Sequence, residues 1–233
     1  MPLNAVNSPG DMEGRQIGVV LNSAAVTFAA GKGTLHEYTA GETMLADLQN
    51  GALDCAVTDE SIAKPLLSKA PGLKILSKPL FKENFCFAIA KENPDLTKDV
   101  NKALKTLNDE GTLKKIVDGY LTGSGERYTS PQNAGKSLAT LTLAVDNHFP
   151  PYSYDDGSGN TVGIDIDIAR AVCDVLGVDM KVAVFDKSSL ITTVEFGKAD
   201  LALGGLAVND GDRKLVDFSD PYDTCSQVIV TRK

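Results

Sequence analysis

His36 and His148 are the only imidazoles in the chain, and Cys55, Cys86, Cys173 and Cys225 are the only thiols. No CxxC pair occurs, so a zinc site, which needs grouped thiolates or imidazoles, is not expected, nor is any other metal or cofactor. The thiols read as core residues, a common place for cysteine. Acid–base catalysis needs a positioned proton donor or acceptor, and no two carboxylates share a local motif. What the sequence offers instead is polar and aromatic residues just past apolar runs. Asp146 closes and Phe149 follows the run 138–147, the place from which α/β proteins bind ligands. Phe149 could wall an aliphatic stem or a cation, or pack in the core, and Asp146 could cap a turn. The stretch "NSAA", with Ser23 and Ala24, opens a helix whose exposed N–H groups favour an anion. Asp59 ends the apolar run "DCAVTD" and precedes the helical pattern "ESIAKPLL", where a carboxylate caps well.

The elements that must hold these residues occur twice. Leu45, Leu48, Gly51, Asp54, Ala56 and Val57 match Ile191, Val194, Gly197, Asp200, Ala202 and Leu203 at a constant offset of 146 residues. Each copy reads as an amphipathic helix stopped by glycine, then an Asp-led apolar run of buried-strand type. The flanks repeat as well. Strands are expected at 14–23 and 138–147, second strands at 34–39 and 179–185, and helices at 24–30 and 164–176. That alternation implies two α/β units, each with a mostly parallel sheet between helices. Between the copies, 95–121 reads as two helices broken at "NDEG". The segment 122–137, "TGSGERYTSPQNAGKS", has the composition of a flexible connection.

The bulk composition narrows the function. A net charge of −8 argues against nucleic acid, whose phosphates demand clustered Lys and Arg. With 233 residues, 42% of them hydrophobic, the chain can build a substantial core. No apolar run reaches the ~20 residues that cross a bilayer. The first residues, "MPLNAVNSPGDMEG", show no apolar stretch of signal-peptide type.

Several blocks resemble a known family, the family 3 periplasmic solute-binding proteins that serve polar amino-acid transporters. "VDNHFPPYSYDDGSGNTVGIDIDIARAV" resembles the start of the family, and "KADLALGGLAVNDGDRKLVDFSDPY" its next signature. "GRQIGVVLNSAA" and "ALDCAVTDES" resemble its second lobe, and 87–121 its C-terminal helices. The resemblance implies a two-lobed, type II periplasmic-binding-protein-like α/β fold, with two lobes joined by hinge strands near 83–87 and 225–228 and a ligand in the cleft. Here the block order is rotated, as in a circular permutant. An alternative is a segment joining the back half of one tandem copy to the front half of the next. Lobe two would comprise 1–87 with the final strand 228–233. Lobe one would comprise 88–227, including the linker 122–137. Cys86 and Cys225 would be neighbours in the hinge, bonded or not.

The implied function is capture of a small polar solute, an amino acid or relative, by a monomeric extracytoplasmic protein that hands it to a membrane permease of ABC type. Alternatives are the sensing domain of a membrane receptor and, less favoured, an enzyme on the same fold. Residue by residue, Arg213 would grip an α-carboxylate bidentately, from a Gly turn that includes Gly205. Asp59 would meet the ligand ammonium, and Phe149 and Asp146 would line the cleft. Ala24 and Ala207 stand where the family places hydroxyls, so two charge-assisted hydrogen bonds, each worth roughly 1.5–3 kcal/mol, are missing unless Ser23, Asn209 or water supplies them. The stretch "NDGDR" is one residue longer than the family spacing. Lys187, in "FDKSSL", replaces a second stacking aromatic and would favour acidic or hydroxylated side chains, unless it points to solvent.

Overall fold

The computed structural model describes residues 5–21, 23–122, 124–131, 139–208 and 210–233. In chain order its strands and α-helices are β1 (Gln16–Val20), α1 (Ala24–Ala29), β2 (Thr34–Tyr38), α2 (Gly41–Asn50), β3 (Cys55–Asp59), α3 (Glu60–Leu67), β4 (Leu73–Ile75), β5 (Phe81–Phe85) and β6 (Ala88–Ala90). There follow α4 (Pro94–Asp109), α5 (Thr112–Leu121), β7 (Thr140–Val145), β8 (His148–Phe149), β9 (Ser153–Asp155), β10 (Thr161–Val162), α6 (Ile164–Leu176), β11 (Asp179–Val184), α7 (Leu190–Glu195), β12 (Leu201–Leu203), β13 (Val216–Phe218) and β14 (Asp223–Arg232). The chain divides into unit 1, Met1–Glu83 with Cys225–Lys233, and unit 2, Asn84–Thr224. It passes from one to the other within β5 and again within β14.

In unit 1 the strand order is β2-β1-β3-β14-β4, with β5 also on β14. β1 runs parallel to β2 and β3, and β14 antiparallel to β3. Alternation along β1 and β3 fills both faces, as a sheet covered by helices on each side requires. Ile17, Val19, Cys55 and Val57 pack with Ala25 and Ala29, while Val20 and Ala56 pack with Met44, Leu45 and Leu48. α2 presents those apolar residues at helical spacing and stops at Gly51, whose φ of 85° lets its N–H reach the Asp47 and Leu48 carbonyls.

In unit 2 the order is β11-β7-β12-β6-β13. β7 runs parallel to β11 and β12, and β6 antiparallel to β12 and β13. α7 packs Leu190 and Val194 onto Ala88, Ala144 and Ala202. A small antiparallel sheet, β10-β9-β8, grows from the loop after β7.

The repeated Asp has a structural reason that spacing alone does not reveal. Asp54 N–H donates to the Gln16 carbonyl at 2.9 Å, and Gln16 N–H donates back to Asp54 Oδ2 at 2.9 Å. Asp200 N–H donates to the Thr142 carbonyl at 2.8 Å, and Thr142 N–H donates back to Asp200 Oδ2 at 2.7 Å. Each carboxylate therefore closes a two-bond ring that sets the register of the central strand against its neighbour.

Two expectations need adjusting. The unit boundaries fall at Glu83/Asn84 and Thr224/Cys225 rather than at 87/88 and 227/228. Phe85 and Phe87 pack on Tyr152 and Tyr222 of unit 2, whereas Cys225 and Gln227 bond Ser61 and Asp59 of unit 1. The segment after α5 is not a loose tether over its described residues 124–131. Tyr128 N–H donates to Asp167 Oδ2 at 3.1 Å and its hydroxyl to Asp174 Oδ2 at 3.1 Å, so α6 holds it. Arg127 lies 3.7 Å from the Tyr120 ring centroid and donates to the Gly119 and Glu126 carbonyls. Gly119 admits this approach because a Cβ there would meet the Glu126 carbonyl oxygen at 2.5 Å. Residues 132–138 lie outside the described part. All four cysteines remain thiols, so Cys86 and Cys225 form no disulfide.

Candidate functional site

Three neighbouring parallel strands of unit 2 end on one edge. β7 leads to Asp146 and Phe149, β11 to Lys187, and β12 to Gly204 and Gly205. The carboxyl edge of such a sheet is where α/β folds place ligands. Asp146 is buried, and its Oδ1 accepts from the His148 N–H at 3.3 Å and contacts the His148 ring Nδ1 at 3.1 Å. Its carbonyl accepts the Ser153 hydroxyl at 2.6 Å. Asp146 thus caps its own turn.

Phe149 is 6% exposed, stacked on Tyr152 at 5.5 Å and met edge-on by Phe85 at 6.2 Å. Over the ring lies the Lys187 ammonium, 4.5 Å from the centroid. Lys187 therefore points onto the aromatic face and not away into solvent. Gly205 is required where it stands. Its φ is +59°, and a Cβ would meet Phe149 Cε1 at 2.3 Å.

Sequence reading missed the group that anchors this edge. Asp165, in the first turn of α6, is fully buried. Its Oδ2 accepts the Gly205 N–H at 3.0 Å and its Oδ1 the Tyr222 hydroxyl at 2.7 Å. Burial pushes its carboxyl up to about 6, against the pull of Tyr222, the Gly205 N–H and the Lys187 charge. Beside it, burial also raises Asp223, opposed by the Tyr152 hydroxyl that donates to it at 2.9 Å. The signal was present in "GIDIDIAR", where Asp165 interrupts an apolar helix start, but apolar periodicity alone cannot distinguish a buried carboxylate from an exposed one.

Arg213 is exposed on the 3-10 turn Asp212–Lys214. Its charge is felt at Cys86, whose thiol burial pushes up to about 11 and Arg213 pulls back. Ala207 bridges Phe85 and is half-buried. Asn209 lies outside the described residues.

In unit 1, Ser23 and Asp59 leave the carboxyl ends of β1 and β3, which are parallel neighbours. Asp59 is at the N-cap position of α3, yet its carboxylate makes no cap bond. It is buried and accepts Gln227 Nε2 at 2.9 Å, and the same nitrogen donates to Glu83 Oε2 at 2.7 Å. Ser23 turns its hydroxyl back onto the Val20 carbonyl at 2.6 Å, and Ala24 begins α1. Asn22 lies outside the described residues. Among the described residues no cluster of His, Cys, Asp and Glu is arranged to hold a metal, and no helix is long and apolar enough to cross a membrane.

Comparison with known proteins places these observations. Residues 141–233 match the bacterial extracellular solute-binding proteins, family 3. The arginine-binding extracellular protein ArtP of Bacillus subtilis (strain 168) is 34% identical over 113 residues, 48% of this chain and 43% of that protein. The ABC transporter arginine-binding protein 1 of Escherichia coli (strain K12) is 27% identical over 121 residues, 52% of this chain and 47% of that protein. The chain thus spans less than half the length of these curated relatives. A phosphate-binding protein of a phosphate ABC transporter from Streptococcus pneumoniae TIGR4 shares the fold, with a TM-score of 0.50 over 94% of this chain and 88% of that one, at 11% identity.

Proposed function

We propose that this chain, whose residues 141–233 match family 3 of the bacterial extracellular solute-binding proteins, captures an amino acid or close relative outside the cytoplasm and delivers it to an ABC permease. The observation that carries the reading is the carboxyl edge of unit 2. An aromatic face, an ammonium and a bare glycine turn converge there at the ends of three parallel strands, braced by a buried carboxylate. Such an edge can bind and orient a small polar molecule, and the protein is read as a binder. A receptor's sensing domain would use the same edge and differ in what the full gene product adds.

In this reading the ligand-contacting residues of unit 2 are Asp146, Phe149, Lys187, Gly205, Ala207 and Arg213, and those of unit 1 are Ser23, Ala24 and Asp59. The rotated block order belongs to the same reading, with Met1–Glu83 and Cys225–Lys233 in one lobe and Asn84–Thr224 in the other. Mass spectrometry of small molecules released from denatured, purified protein tests the function, followed by calorimetry with the proteinogenic L-amino acids. The expected result is one retained amino-acid-like compound that rebinds at one site per chain. Absence of both retained ligand and heat across the series would overturn the proposal.

A further inference from the structure

The carboxyl edge of unit 2 carries a cation of its own. The Phe149 ring, backed by Tyr152 and Phe85, has little surface left, and the Lys187 ammonium lies over it at 4.5 Å. Lys187 is half-buried on the short turn Lys187–Ser189 that follows β11. Its charge also acts on Asp165, the buried carboxylate that holds Gly205 against Phe149. An aromatic face with carboxylates behind it attracts cations, because the ring quadrupole and the negative charges pull in the same direction. Here that attraction is met from within the chain. A second cation brought by a solute would have to share the face with the first at short range, where like charges repel.

Resting on the ligand-binding reading above, we propose that Lys187 is a tethered cation that fills the Phe149 face, so that the site rejects solutes with cationic side chains and selects those with acidic or uncharged polar ones. The relatives described above are named for arginine. Removing this one side chain would leave the ring in place to receive a cation from the solute.

The test is calorimetry of the full chain against the proteinogenic L-amino acids, for the parent and for Lys187→Met, Lys187→Gln and Lys187→Arg. The parent should bind glutamate or a neutral polar amino acid roughly tenfold or more tighter than arginine or lysine. Lys187→Met and Lys187→Gln should each shift the arginine-to-glutamate affinity ratio toward arginine by roughly tenfold or more. Lys187→Arg, which keeps the charge, should retain the parent's order. A parent that prefers arginine or lysine, or a ratio unchanged in both neutral variants while amino acids still bind, overturns the proposal and leaves the ligand-binding reading standing. If no protein of the set binds any amino acid, the ligand-binding reading fails and this proposal falls with it.

Discussion

Gly205→Ala is the sharpest probe of how the candidate site is built. The new Cβ would meet three atoms of one ring: Phe149 Cε1 at 2.3 Å, Cδ1 at 2.7 Å and Cζ at 3.2 Å. The ring has little room to retreat, because Tyr152 is stacked on it at 5.5 Å and Phe85 abuts it at 6.2 Å. Nor can the backbone swing freely, since the Gly205 N–H is tied to Asp165 at 3.0 Å. Overpacking of this kind costs about 1–3 kcal/mol, and placing a Cβ at a φ of +59° adds about 1–2 kcal/mol. The sum, about 2–5 kcal/mol, is a large share of a domain's stability. Gly157→Ala is the control. Its φ is +81° with nothing within 4 Å, so only the backbone cost, about 1–2 kcal/mol, applies. Chemical denaturation followed by circular dichroism gives the midpoints. Amide exchange at Leu201–Leu203 reports unit 2 separately, because two units need not unfold as one. Gly205→Ala should lose clearly more protection than Gly157→Ala, and adding Phe149→Leu should recover part of the loss. Equal losses from the two glycines would refute the packing argument.

Asp165 has a folded-state value of about 6 against an ordinary 3.8, raised by burial, so its contribution to stability is fully present below pH 3.8 and is lost as pH rises through 6. The shift corresponds to about 3 kcal/mol; denaturation between pH 4 and 7 should show the parent falling relative to Asp165→Asn, and parallel curves would remove Asp165 as the cause. The proposed rotation of the block order predicts that joining Lys233 to Met1 through a short linker, and reopening the chain within 122–137, yields a folded protein with unchanged ligand preference by calorimetry; failure to fold across several linker lengths would count against the rotation.

The sequence made the scaffold legible because burial leaves periodic marks. The apolar residues of α2 and α6 recur at helical spacing, and glycines end both helices. The constant offset of 146 residues reflected a shared hydrogen-bonded ring at Asp54 and Asp200. Site residues beyond the resemblance were harder to see. Asp165 looks like any acid in a helix's first turn until the Tyr222 hydroxyl and the Gly205 N–H are found on its two oxygens. Tyr128 sits in a stretch whose Gly and Ser content suggests freedom, yet Asp167 and Asp174 hold it. Both depend on partners dozens of residues away, which no local pattern encodes.

The repeat also explains why the two units offer different chemistry on the same frame. β1 and β3 pair in the register Val19 to Val57, and β7 and β12 in the register Val145 to Leu203. Two residues past those pairs, the 146-residue offset matches Asp59 with Gly205. Four residues past Val19 comes Ser23, and four past Val145 comes Phe149. The same two positions therefore carry a carboxylate and a hydroxyl in unit 1, but bare backbone and a ring in unit 2. The pairing in unit 2 is forced, because the ring lies where a Cβ at 205 would stand. Unit 1 has no ring at the matching position, so its carboxylate is tolerated there, held by Gln227 from β14. A swap at one position alone, such as Gly205→Asp, would then fail for want of space before charge entered. A double exchange of Gly205→Asp with Phe149→Ser would have the room but lose the face that Lys187 occupies. The two edges are thus alternative solutions of one geometry.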